Sequence, residues 1–192
     1  MLFRSAFNAA GDIFVGGQTD QDQSTLTNYD FLMIKYNSTG TPVLTKTYNS
    51  PANQSDIPAS MAFDAAGDIC LAGYGDFDAN LTIVQNYMMA AVWNSTGTNI
   101  GQVFASGTNG SGNSEGAAVV TDQTSGNFII AGYFENTGTQ KDGALLSCTP
   151  SGITNWSNSY NYTGDYTSSF KDRKSTRLNS SHVALSRMPS SA

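Results

Sequence analysis

Short apolar runs, each closed by a Gly, Asn or Ser turn, recur along the chain in a fixed order. The sharpest run is Gly67-Asp-Ile-Cys-Leu-Ala-Gly-Tyr74. It returns as Gly11-Asp-Ile-Phe-Val-Gly-Gly-Gln18 and as Gly126-Asn-Phe-Ile-Ile-Ala-Gly-Tyr133, at spacings of 56 and 59 residues. Self-similarity at such a period marks a repeat architecture. In the second unit, Ile57-Pro-Ala-Ser-Met-Ala-Phe63 predicts a first strand and Asp64-Ala-Ala-Gly67 a turn. Residues 68–73 predict a buried second strand, and 75–86 a polar loop. Tyr87-Met-Met-Ala-Ala-Val-Trp93 predicts a third strand and Asn94-Ser-Thr-Gly97 a tight turn. Ile100-Gly-Gln-Val-Phe-Ala105 then alternates as a half-exposed fourth strand.

The other units follow the same grammar. Gly11, Gly67 and Gly126 open the second strands, and Gly17, Gly73 and Gly132 sit near their ends. Tyr36, Trp93 and Cys148 occupy one equivalent position, and Gly40, Gly97 and Gly152 end the following turn. Their repetition assigns them to packing and turn geometry. Four strands per unit, no helical periodicity and hairpin-length turns predict an all-β fold. It consists of antiparallel four-stranded blades of a β-propeller. The units are 1–49, 50–107 and 108–161, with 162–171 starting a fourth. Three blades are an incomplete ring, because propellers close with four to eight. Both end blades then expose an apolar face, and further blades of the same chain are expected.

Composition agrees. Gly 19 and only 12% charged residues suit short strands and tight turns, and 39% hydrophobic residues suit thin stacked sheets. A formal net charge of −6 excludes the basic stripe that nucleic-acid binding needs. No 18-residue apolar run predicts a membrane span. Cys70 and Cys148 read as small apolar fillers.

Candidate chemistry is sparse. His182 is the single histidine and lies outside the repeats, so 1–171 lack a base for Ser-His-Asp or Cys-His nucleophilic catalysis. Asp76, Asp78, Glu115, Glu135 and Asp142 could supply paired carboxylates, at spacings that follow no catalytic signature. Asp20 and Asp22, and Asp76 and Asp78, offer hard oxygens at i, i+2 spacing for calcium. No D-x-[DN]-x-[DN]-G loop accompanies them, so they read as solubilising acidic loops, with calcium the alternative. Other cofactors are not expected. Tyr36, Trp93, Trp156, Tyr48 and Tyr160 could stack on sugars, but Tyr36 and Trp93 are equivalent positions, as are Tyr48 and Tyr160, and such equivalence fits inter-blade packing better. Asn-x-Ser/Thr triplets at Asn37, Asn53, Asn80, Asn94, Asn109, Asn155 and Asn161 read as a by-product of turn chemistry rather than glycosylation sites.

Phe63-Asp-Ala-Ala-Gly-Asp-Ile-Cys-Leu-Ala-Gly-Tyr74 and Tyr29-Asp-Phe-Leu-Met-Ile-Lys-Tyr-Asn-Ser-Thr-Gly40 resemble the SBBP-type bacterial β-propeller repeats. They match the pattern of a D-x-x-G-N turn, a V-x-x-G-Y strand and a D-x-x-x-x-K-Y-x-x-x-G strand and turn. The second unit departs from it, having no counterpart to Lys35, and the third lacks both the Lys and the aromatic. The resemblance covers 1 to about 171 and implies an exported or cell-surface protein. It further implies a non-catalytic module for binding or display, with an extracellular protein or carbohydrate as ligand. The loops 18–30, 75–86 and 134–143 would make the contacts. The alternatives are part of a lyase or glycoside hydrolase whose active site lies in other blades, and a calcium-stabilised adhesion module.

After Phe170 the grammar stops. Asp172-Arg-Lys-Ser-Thr-Arg-Leu-Asn-Ser-Ser-His182 and Ser186-Arg-Met-Pro-Ser-Ser-Ala192 resemble the in-frame translation of a sequencing adapter on either side of a short index. Residues 1–171 hold Lys+Arg 5 against Asp+Glu 14, a net of −9, whereas 172–192 carry +3. The basic tail is therefore expected to be non-native and is left out of the fold.

Overall fold

Asn94 shows why each unit turns where it does. Its Oδ1 accepts hydrogen bonds from Thr96 N at 3.1 Å, Thr98 N at 2.9 Å and Thr96 Oγ1 at 2.7 Å. Asn37 binds Thr39 N, Thr41 N and Thr39 Oγ1 in the same way. The turn ends on Gly97 at φ 82°, a left-handed conformation that a Cβ would strain. In the third unit Thr149 takes the position, and its Oγ1 accepts from Ile153 N at 3.1 Å. Asn37 and Asn94 serve turn geometry, as the sequence suggested, whereas Asn155 lies within the strand Thr154–Tyr160. Asn94→Ala removes three acceptor contacts at a solvated site and should cost about 1 kcal/mol, read as a lowered urea midpoint.

The computed structural model describes residues 4–8, 11–20, 28–77, 85–107, 113–136 and 141–161. Every regular element among them is a strand. The first sheet holds β1 (Arg4–Phe7), β2 (Ile13–Asp20), β3 (Tyr29–Tyr36) and β4 (Pro42–Tyr48). The second holds β5 (Ile57–Phe63), β6 (Ile69–Asp76), β7 (Asn86–Trp93) and β8 (Asn99–Ala105). The third holds β9 (Glu115–Thr121), β10 (Phe128–Glu135), β11 (Lys141–Cys148) and β12 (Thr154–Tyr160). Each is an antiparallel meander in chain order. Together they form three propeller-like blades that do not close into a ring. No helix among the described residues is long and apolar enough to cross a membrane. The expected start of a fourth blade, 162–171, and the tail, 172–192, lie outside the described residues.

Alternation along the central blade decides the packing. Ile69, Leu71, Met89, Ala91 and Trp93 point to the first blade, where they meet Phe14, Phe31 and Met33. Cys70, Ala72, Met88, Ala90 and Val92 point the other way, onto Phe128, Ile130, Ala144, Leu146 and Cys148 of the third. A sheet buried on both faces needs a nearly continuous apolar run, which is what β6 and β7 have. Trp93 is 1% exposed, as packing predicts, and both cysteines are free and buried between the second and third blades. First strands of neighbouring blades are tied together: Arg4 Nε donates to Ala59 O at 2.8 Å, and Thr121 Oγ1 to Phe63 O at 2.6 Å.

The structure corrects the loop boundaries. Second strands run on to Asp20, Asp76 and Glu135, and third strands already begin at Tyr29, Asn86 and Lys141. Asp20↔Tyr29, Asp76↔Asn86 and Glu135↔Lys141 all sit in register in the ladders. Polar residues keep their backbone pairing even where the apolar signal has stopped, and only side-chain pattern was legible.

Candidate functional site

The polar residues converge at the loop end of the junction between the first two blades. Asp56 immediately precedes β5 and is fully buried. Its backbone N–H donates to Tyr29 O at 2.5 Å, and its Oδ2 accepts from Ser50 N at 2.6 Å. Gly75 makes room for it: a Cβ there would lie 2.1 Å from Asp56 Oδ1. That Oδ1 has no hydrogen-bond partner among the described residues. Asp30 and Asp76, both buried, add negative charge nearby. Burial first, then these two carboxylates, push the Asp56 carboxyl up to about 7 against the opposing hydrogen bond from Ser50 N. Tyr48 is pushed up to about 12 by burial and by Asp56.

The next junction has the same frame with different chemistry. Ser114 stands where Asp56 stands, donating its backbone N–H to Asn86 O at 2.7 Å. Asn113 Oδ1 accepts from Asn86 N at 3.0 Å, and Asn113 N donates to Glu135 Oε2 at 3.0 Å. Asn136 Nδ2 donates to Asp142 Oδ2. Lys141 Nζ lies 3.9 Å from the centroid of the Tyr133 ring. Tyr133 is held protonated far into the alkaline range by burial, then by Glu115.

The sequence candidates fare differently. Asp20 ends β2 half-buried, and Asp76 ends β6 at 1% exposure, so neither sits in a solvated loop. Asp22 and Asp78 lie outside the described residues. Among the described residues no three His, Cys, Asp or Glu side chains are arranged to hold a metal ion. Glu115, Glu135 and Asp142 share the loop end of the second junction, each engaged with the Tyr and Asn groups named above. Gly73 and Gly132 stand opposite bulges, where a Cβ would lie 2.0 Å from Ile57 O and 1.9 Å from Glu115 O. Gly11, Gly67 and Gly126 all have positive φ, as do Gly40 and Gly152. Gly17 is buried beside Leu32 in the ladder.

At the opposite, turn end of the junction between the first two blades lies a crevice of about 380 Å³ lined by Asn8, Asp12, Lys35, Phe63, Asp64 and Ser95. Lys35 Nζ pairs with Asp12 Oδ2 at 2.7 Å and lies 5.5 Å from the Phe14 ring centroid. Lys35, then Asn8, hold the Asp12 carboxyl below its usual range.

Asp56 is the residue that sequence reasoning passed over. Its only local sign is a carboxylate directly before an apolar first strand, where the third unit has Ser114. Asp56 is fully buried, so the proton it binds near neutrality bears on the stability of the fold.

No family model matches the chain, and no curated protein does.

Proposed function

We propose that this chain is a non-catalytic β-propeller module of an exported or cell-surface protein. It binds or displays ligands at the end where second strands pass to third. The observation that carries the reading is the contrast between the two ends. Turns between third and fourth strands repeat nearly atom for atom at Asn37 and Asn94. Second-to-third connections differ in length and sequence from unit to unit, and Asp56 gives way to Ser114 beneath them. A constant frame carrying variable connections is how binding scaffolds distribute function. The resemblance to SBBP-type repeats supports export.

The test is an immobilised chain probed with a glycan array and a panel of extracellular proteins. The expected result is saturable binding that disappears when 21–27 or 137–140 is replaced by Gly-Ser of equal length, at unchanged melting temperature. Covalent turnover of any probe, detected by mass spectrometry, would overturn the reading.

A further inference from the structure

Both junctions repeat one frame at the loop end, yet the residue one step past the second strand differs. Phe77 follows Asp76 in the second unit, and Asn136 follows Glu135 in the third. Phe104 and Ser159 correspond as well. They pair with Met89 and Ala144, which lie four residues before Trp93 and Cys148. In the second blade the rings of Phe77 and Phe104 pack on one another, with centroids 4.5 Å apart. In the third blade an amide and a hydroxyl stand where those rings stand, and they do not fill the same space. A crevice of about 200 Å³ lies there, lined by Ser106, Gly107, Phe134, Asn136, Ser157 and Ser159.

Its walls are held in place. Asn136 Nδ2 donates to Oδ2 of the buried Asp142, which fixes the amide, and Asn136 Oδ1 lies toward Gly107. A Cβ on Gly107 would collide with that oxygen and with the Glu135 carbonyl, so glycine lets the end of the second blade lie against the third. Phe134, 5% exposed, supplies the apolar part of the lining. Ser106, Ser157 and Ser159 add three hydroxyls, and no Asp, Glu, Lys or Arg side chain lines the crevice.

This lining selects by chemistry. It has no cation to pair with a phosphate or carboxylate, and no carboxylate to pair with an ammonium group. A wholly apolar ligand would strip water from Asn136 and the hydroxyls and return no hydrogen bond. Hydroxyls donate and accept, and an amide offers both in fixed directions. The matching ligand is uncharged, carries several hydroxyls and has one apolar side. Sites for drug-sized ligands run to roughly 300–1,000 Å³. The smaller crevice therefore takes one ring rather than an extended chain.

The geometry points to a subsite for a single neutral sugar residue, held by Asn136, Ser106, Ser157 and Ser159 with its C–H face on Phe134. It rests on the reading of the loop end as the binding end, and it narrows the ligand there at one junction. At the first junction the packed rings of Phe77 and Phe104 occupy the equivalent place.

Saturation-transfer NMR of the full 192-residue chain tests it. The probes are the methyl glycosides of glucose, galactose, mannose, xylose and N-acetylglucosamine. They are titrated to about 50 mM, because a one-ring ligand in so small a crevice binds in the millimolar range. Glucuronate and glucosamine are the charged controls. Saturable transfer to the ring protons of at least one neutral glycoside is expected, with weaker transfer to both controls. Ser159→Phe places a ring where Phe104 has one, on the exposed face of β12, and should weaken binding about tenfold or more at unchanged melting temperature. Ser157→Leu provides the same reading by a second route. Thr47→Phe makes the matching change on the first blade and should leave binding as it was. The inference is overturned if no neutral glycoside binds, if the charged sugars bind equally well, or if both serine variants bind like wild type. A protein captured by the wild type and lost on replacing 21–27 or 137–140, yet indifferent to Ser159→Phe, would remove the sugar subsite and leave the binding end standing.

Discussion

Replacing Asp56 with Asn should stabilise the chain at pH 8 and leave it nearly unchanged at pH 4. In the folded chain the carboxyl is pushed up to about 7, from an ordinary value of 3.8. A group whose folded pKa is raised contributes most below its unfolded value, and that contribution is lost as pH rises through the folded value. The wild-type chain therefore loses stability between about pH 4 and pH 7, as folding comes to require a buried anion beside Asp30 and Asp76. The span corresponds to about 4 kcal/mol as an upper bound. Asn keeps an oxygen for the Ser50 N–H and carries no charge, so its stability curve should be flat across the same window. Asp12 and Asp122, whose pKa values are lowered, act in the opposite sense. They lose their contribution as pH falls through their folded values, which places the optimum on the mildly acidic side. Urea midpoints at pH 4, 5, 6, 7 and 8 read the difference directly. Parallel curves for wild type and variant would show that Asp56 does not hold the proton.

Gly73→Ala should be, with Gly132→Ala, among the most damaging single-methyl additions at the described glycines. The added Cβ would lie 2.0 Å from Ile57 O and 2.8 Å from Pro58 Cα, both backbone atoms of the strand it pairs with. No rotamer change relieves such a clash, so β5 must move away from β6 across a junction buried on both sides. A cost above about 3 kcal/mol is expected, beyond the usual range for overpacking a core. Gly126→Ala is the control. Its Cβ meets nothing within 4 Å, and the only penalty is its φ of 74°. That strain amounts to about 1–2 kcal/mol. Chemical denaturation of the two variants side by side separates steric exclusion from backbone strain, and equal losses would refute the bulge account.

The core was legible because it is written locally. The run from Ile69 to Gly73 announces a strand buried on both faces, and the parity of its residues assigns each to a neighbour once the sheets are stacked. Tyr36 and Trp93 pair with Ile13 and Ile69 at the same place in their ladders, yet Trp93 is buried and Tyr36 half-buried. That difference depends on where each unit stands in the stack, which no local pattern carries. Asp56 was illegible for a related reason. Its environment is made by Ser50, Gly75, Asp30 and Asp76, groups up to 26 residues away that meet only through the sheet register. The strand ends at Asp20, Asp76 and Glu135 were missed because backbone pairing continues there without an apolar side chain to mark it.

The strict parity of the central blade also sets how the chain's length can change. One residue inserted inside β6 or β7 would turn Leu71 and its neighbours toward the wrong blade, and Cys70 with them. Residues added between second and third strands leave every face as it was. A whole unit of about 57 residues adds one more junction of the kind already present, with the same positions meeting. Length in this protein is therefore quantised: free in one set of connections, forbidden within strands, and otherwise changeable only by whole units.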